Sequence, residues 1–206
     1  MKNEKQQIKG EFRKICLDSK KFNRYLFSKK ISKELLKITR EYKNILLFLP
    51  LKNEADITGV IKTLKRKKKN IFVPFMQDLS FKMVKYTLPV KKKKFSILEP
   101  LNKNATLQKI DLAIVPVVGM DNDFKRVGFG KGMYDRFFAS LGYKPKIVFL
   151  QVRPCVSKHK ITDSFDIKAD EYISFNVRRR NERLNNRYSR FFFIRSRGIF
   201  YHKKDG

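Results

Sequence analysis

Apolar positions along this chain follow two periods in turn. Ile8, Phe12 and Ile15 recur at helical spacing, with Lys9 and Arg13 on a neighbouring stripe one turn apart. Phe27, Ile31, Leu35 and Ile38 define one face of a second helix. The pattern then changes to short, continuous apolar runs. "NILLFLP" (44–50), "IFVP" (71–74) and "IDLAIVPVVG" (110–119) are bounded and too short for helices. They predict buried strands closed by Pro50, Pro74 and Pro116. "ITGVIKTLKRK" (57–67) predicts a helix between the first two. "FKMVKY" (81–86) alternates and predicts a strand at a sheet edge. "YDRFFASLG" (134–142) predicts a helix ended by Gly142, "KIVFLQV" (146–152) a further buried strand, and "DEYISF" (170–175) the last one.

Strands alternating with helices imply an α/β domain with a largely parallel sheet. Ligands in such sheets bind beyond the carboxyl ends of the strands, so the segments after the three prolines are the expected site loops. No internal repeat is visible. From Arg178 the character changes: residues 178–206 hold eight Arg and two Lys against Glu182 and Asp205, a net of +8. The expected organisation is one domain over 1–177 and a basic, Arg- and Phe-rich tail over 178–206. The apolar cluster at 191–194 is too short to span a membrane, and the tail is expected to be dispensable for chemistry.

Composition adds bounds rather than an activity. The 206 residues fit one domain, and a 42% hydrophobic fraction supplies a core. The N-terminus has no apolar segment, and no run approaches the ~18–20 apolar residues of a membrane span. A soluble, cytoplasmic protein without a membrane span is expected. Cys16 and Cys155 lie far apart with no CxxC spacing, which predicts reduced thiols and neither a disulfide nor a zinc site. His159 and His202 lack any partner spacing. The net charge of +30 implies anionic partners: nucleic acid, phosphate-bearing small molecules or a membrane surface. The clusters "KRKKK" (65–69) and "KKKK" (91–94) read as solvated faces.

Chemistry concentrates in "RVGFGKGMYDRF" (126–137), which uses three of the nine glycines at alternate positions. Glycines let a backbone approach a ligand and adopt positive φ. A loop of this kind emptying into a helix presents N–H groups to an anion, and Lys131, Arg126 and Arg136 add positive charge. Asp135 would repel phosphate alone but fits if magnesium bridges the two, since that ion prefers oxygen ligands. The stretch matches neither GxxxxGK[ST] nor GxGxxG, so a nucleotide loop and a purely structural turn both stay open on spacing.

Beyond spacing, "DLAIVPVVGMDNDFKRVGFGKGMYDRF" (111–137) resembles the signature of the 5-formyltetrahydrofolate cyclo-ligase family, whose members are also called 5,10-methenyltetrahydrofolate synthetases. The resemblance extends over residues 5–175 through Lys9, Arg13, "FLPLKNEADI" (48–57), "VPF" (73–75), "FSILEP" (95–100) and "FDIKADEYI" (165–173). Met133 stands where the family has a tyrosine, and Phe75 where many members have a basic residue.

This resemblance implies a single three-layer, Rossmann-like domain similar to the NagB/RpiA/CoA-transferase-like fold. It implies ATP-dependent cyclisation of 5-formyltetrahydrofolate, including its polyglutamylated forms, with magnesium as cofactor. Lys131, Arg126 and Tyr134 would be catalytic. ATP would be held by Lys9 and Arg13 from the first helix, and by Arg126, Gly128, Phe129, Gly130, Lys131, Gly132, Met133 and Tyr134 from the loop. Leu51, Glu54, Asp56, Phe129 and Met133 would contact folate, and Asp135 and Asp166 would hold magnesium. A monomer without a specific nucleic-acid partner is expected. The alternative is a basic nucleic-acid-binding protein on a related α/β fold, although no RNP, KH or helix-turn-helix pattern is present.

Overall fold

A computed structural model describes residues 2–18, 24–93, 98–101, 104–106, 108–181 and 199–201. His202 and the 191–194 cluster lie outside the described residues. The chain opens with α1 (Lys2–Asp18) and α2 (Arg24–Ile38), followed by β1 (Asn44–Leu46), α3 (Thr58–Arg66) and the hairpin β2 (Asn70–Gln77) and β3 (Ser80–Lys85). A small pair, β4 (Val90–Lys92) and β5 (Leu98–Pro100), precedes β6 (Leu112–Pro116). Then come β7 (Gly119–Met120), β8 (Arg126–Val127), α4 (Met133–Ala139), β9 (Lys146–Leu150), β10 (Cys155–Ser157), β11 (Glu171–Ser174), β12 (Val177–Arg180) and β13 (Ile199–Tyr201).

Seven strands form the main sheet in the order β12-β11-β9-β6-β1-β2-β3. The five inner strands are mutually parallel, and β3 and β12 close the two edges antiparallel. The fold is therefore mixed α/β with a large, mainly parallel sheet. Alternation along each strand sorts the core into two layers. Ile45, Ile71, Ile114, Val148 and Ile173 face Ile31 and Leu35 of α2 and Val60, Ile61 and Leu64 of α3. Leu46, Phe72, Val115, Phe149 and Tyr172 face the other way, toward Phe137 of α4 and Met120 and Val156 of a second sheet. That second sheet runs β13-β10-β7-β8. It is roofed by α1, whose Phe12 and Cys16 pack on Val118, Val127, Cys155 and Ile161.

Three expectations need correction. The strand beginning at Ile71 does not stop at Pro74. It runs on to Gln77, with Pro74 opposite Met83 in the hairpin; its missing N–H faces away from β3, on the side where β1 has already ended at Leu46. The strand at 171–174 is not the last, since β12 returns along it after a turn at Asn176 with φ 57°. Cys16 and Cys155 are not free thiols but form a disulfide across 139 residues, tying α1 to β10. Gly119 makes room for it: a Cβ there would lie 2.6 Å from the Phe12 ring and 2.9 Å from Cys16 Sγ.

The basic segment thus begins inside the sheet. Arg178 donates to Glu171 Oε2 at 3.0 and 2.9 Å, and Lys146 Nζ sits 2.7 Å from Oε1. Burial raises the Glu171 pKa, but the bonds and charges of Lys146 and Arg178 outweigh it and hold the carboxyl below its ordinary range. A chain ending after Asn181 should fold and keep its chemistry, losing the described edge strand β13. One ending after Phe175 loses β12 as well as Arg178 and should be less stable by at least about 2 kcal/mol. Thermal unfolding of both would test this, and equal midpoints would refute it.

Candidate active site

The segments that follow the carboxyl ends of β1 and β6 converge here with α1. Each glycine of the 128–132 loop has its own reason. Gly130 and Gly132 have φ of 97° and 59°, the left-handed region that strains any side chain with a Cβ. Gly128 is there for space, since a Cβ would lie 2.6 Å from the Arg126 guanidinium. Arg126 is buried. Its Nε donates to the Pro116 carbonyl at 3.3 Å, at the end of β6, and its Nη1 to Asp135 Oδ2 at 3.4 Å. The Tyr134 ring lies beneath it, 4.9 Å from centroid to Cζ.

From the other side, α1 presents its basic stripe. Arg13 Nε donates to the Gly128 carbonyl at 2.7 Å, and the same guanidinium is what a Cβ on Gly130 would meet first, at 3.7 Å. Lys9 is ion-paired to the buried Asp166 and lies 3.5 Å from Asp163 Oδ2. Asp166 Oδ2 also accepts the Asp163 N–H at 2.7 Å. Asp135 Oδ1 accepts the Ile167 N–H at 3.1 Å, so the carboxylate of α4 is anchored beside the residue that follows Asp166. Asp135 and Asp166 offer only oxygen donors, the kind magnesium takes. Among the described residues no group of three or more His, Cys, Asp or Glu could hold a metal. A cation held by these two would complete its shell with water or phosphate oxygen, as magnesium does.

The loop after β1 is a tight turn. Leu51 N–H donates to Glu54 Oε2 at 2.9 Å and Glu54 N–H to the Leu51 carbonyl at 3.0 Å. Arg24 of α2 clamps the turn by donating to the carbonyls of Glu54 at 2.6 Å and Leu51 at 3.1 Å. Desolvation pushes Glu54 up to about 7, opposed by the Leu51 N–H and by the charges of Arg126 and Arg24. Desolvation, then the Glu54 charge, push the Tyr134 phenol up, against Arg126. These electrostatic couplings join the turn to the glycine loop.

Glu54 carries a pH signature. Its folded pKa of about 7 lies above its ordinary 4.5, so between those values the folded chain keeps a proton that the unfolded chain has lost. The stabilising contribution is complete below 4.5 and disappears as pH rises through about 7. Glu54→Gln should therefore flatten the fall in unfolding temperature between pH 4.5 and about 7. A variant with the parent's slope would show that the carboxyl titrates normally.

Not every residue expected here does its visible work here. Asp56 is exposed, and its Oδ1 accepts the Thr58 N–H at 3.0 Å at the start of α3. Lys131 is exposed, and Phe129 is 45% exposed at the loop tip. Met133 packs partly against the core beneath the sheet. Arg136, read as a phosphate-side cation, donates to the carbonyls of Leu79, at 2.6 Å from Nε, and Lys131, bracing the loop. Three contributors were not anticipated. Arg24 has no local signal. Asp163 could have been read from its spacing to Asp166. Lys125, which donates to the carbonyls of Asp163 at 2.6 Å and Ser164 at 3.2 Å, steadies the acidic loop.

Comparison with known proteins identifies the family. The model of the 5-formyltetrahydrofolate cyclo-ligase family matches residues 1–153, which hold every expected site residue except Asp166. A 5-formyltetrahydrofolate cyclo-ligase of Haemophilus influenzae is 28% identical over 142 residues, covering 64% of this chain and 76% of that one. The Mus musculus enzyme of the same name is 28% identical over 149 residues, 64% and 72% of the two chains. The structure of Aquifex aeolicus 5,10-methenyltetrahydrofolate synthetase superposes with a TM-score of 0.74 at 25% identity, covering 92% of this chain and 100% of that one. A Mycoplasma pneumoniae synthetase shares the fold, with a TM-score of 0.60 at 21% identity over 81% and 97% of the chains. With the family model spanning most of its length, this chain belongs to the 5-formyltetrahydrofolate cyclo-ligase family.

Proposed function

We propose that this chain cyclises 5-formyltetrahydrofolate to 5,10-methenyltetrahydrofolate at the expense of ATP. The observation that carries the reading is the juxtaposition of Arg13 and Arg126 with the glycine loop, and of Glu54 with Arg126 and Tyr134. A formamide carbonyl is a poor electrophile, and its oxygen is a poor leaving group. Transfer of the γ-phosphoryl group to that oxygen corrects both. N-10 of the folate then attacks the carbon and loses its proton, the carbon–oxygen bond breaks, and phosphate departs beside ADP.

Such chemistry asks the protein for alignment and charge, not for a nucleophile. Lys9, Arg13, Arg126 and Lys131 supply cations around the loop, whose backbone would cradle the phosphates. Glu54 meets the pterin, which offers N–H donors. With a pKa of about 7 it can accept a hydrogen bond as carboxylate or donate one as acid. Phe129, Met133 and Tyr134 line the folate side. Asp135 and Asp166 would hold magnesium, which would neutralise charge on the transferring phosphoryl group. The nucleic-acid alternative is not favoured, since the matches described above are all to cyclo-ligases or synthetases. Among the described residues no helix is long and apolar enough to cross a membrane.

The test is the absorbance change on mixing the protein with 5-formyltetrahydrofolate, with and without ATP and magnesium. Turnover is expected only when both are present. A folded protein that turns over nothing, or does so equally without ATP, would sink the proposal.

A further inference from the structure

The two carboxylates placed to hold a metal are both already paired, and each with a cation placed to hold phosphate. Asp166 carries Lys9, and Asp135 carries Arg126. Both pairs are largely withdrawn from water: the side chains of Lys9 and Asp166 are 12% and 7% exposed, those of Arg126 and Asp135 7% and 12%. We propose that the ligand-free site is internally neutralised, and that metal and nucleotide enter by partner exchange. The metal takes Asp166 and Asp135 from their internal cations, and the released Lys9 and Arg126 turn to the triphosphate. This inference rests on the cyclo-ligase reading above.

The geometry favours Lys9 as the moving member. Arg126 is held by the Pro116 carbonyl and by the Tyr134 ring as well as by Asp135. Lys9 sits on a flexible four-carbon stem with three donors, and its charge is shared between Asp166 and Asp163. Its helix already reaches the glycine loop one turn further on, through Arg13 and the Gly128 carbonyl. A swing of the ammonium from carboxylate to phosphate needs no movement of α1. Asp166 would not be stripped bare, because the Asp163 N–H stays bonded to Oδ2.

Exchange has a thermodynamic consequence. Metal alone must push Lys9 off Asp166 and leave it only the more distant Asp163, and nucleotide alone must pull Lys9 from a buried carboxylate. Each ligand removes the obstacle to the other, so each should tighten the other by the same factor. A coupling within the roughly 5–150-fold usual for linked sites is expected.

Binding of manganese, followed by its paramagnetic resonance, and of ATP in excess chelator, followed by calorimetry, tests this on the full chain without any turnover. Lys9→Gln should bind manganese alone several-fold more tightly than the parent, but should show no gain at saturating ATP, where Lys9 has already left Asp166. Simple charge repulsion would instead tighten manganese in both conditions, and that result would overturn the exchange. Asp166→Asn should bind metal-free ATP more tightly than the parent, since Lys9 is released in advance, and should show a weaker coupling. No gain in either variant, while the parent still binds ATP with metal, would overturn the exchange and leave the cyclo-ligase reading standing. A parent that binds no ATP under any condition would overturn both.

Discussion

Arg126→Met is expected to damage the reaction and the fold together. The side chain supplies a preorganised cation at the glycine loop, and losing such a partner commonly raises a barrier by about 3–4 kcal/mol, a turnover loss on the order of 10²–10³. The same change strands Asp135, largely buried, without its ion-pair partner. Breaking a buried pair from one side costs about 3–5 kcal/mol, and the surviving bond from the Ile167 N–H puts this case at the lower end. Turnover at saturating substrates and calorimetric unfolding would report the two losses separately. A variant of normal stability would mean that Asp135 finds another partner or reaches water.

Asp135→Asn should give the cleaner catalytic loss. The amide keeps the shape and can still accept from Ile167, but it is a weak metal ligand. Turnover should fall by about 2–4 kcal/mol in the barrier, with magnesium dependence shifted to higher concentration and folate affinity largely kept. The combination Arg126→Met with Asp135→Asn is informative. Removing both charges of a buried pair is far milder than removing one, so stability should partly return while turnover should not. Normal turnover and unchanged magnesium dependence in Asp135→Asn would reduce this carboxylate to a residue that orders the start of α4.

What the sequence revealed and what it hid divide along a physical line. The parallel core was legible because a buried strand is a continuous apolar run: 112–116 and 146–150 read correctly to within a few residues. The glycine loop was legible because positive φ and close approach leave a compositional mark. β7 and β8 were not, since two residues carry no period. Pro74 misled because proline closes a strand only where its missing N–H is needed. Arg24 reaches the turn at 51–54 through tertiary packing, which no local spacing encodes. The Cys16–Cys155 bond was missed for the same reason, as neither cysteine has a neighbour to pair with.

Considered as a graph, that bond turns the chain into a closed ring with two free arms. Lys9 lies on the short arm, seven residues before Cys16, and Asp166 on the long arm, eleven after Cys155. Without the bond, bringing Lys9 to Asp166 in an unfolded chain means closing a loop of 157 residues. With it, the path between them runs through the two arms alone. Since closure entropy grows with the logarithm of length, that shortcut is worth about 2 kcal/mol to their meeting. A backbone cut anywhere in the ring would open it without separating the pieces, and both members of the pair would stay on the same molecule.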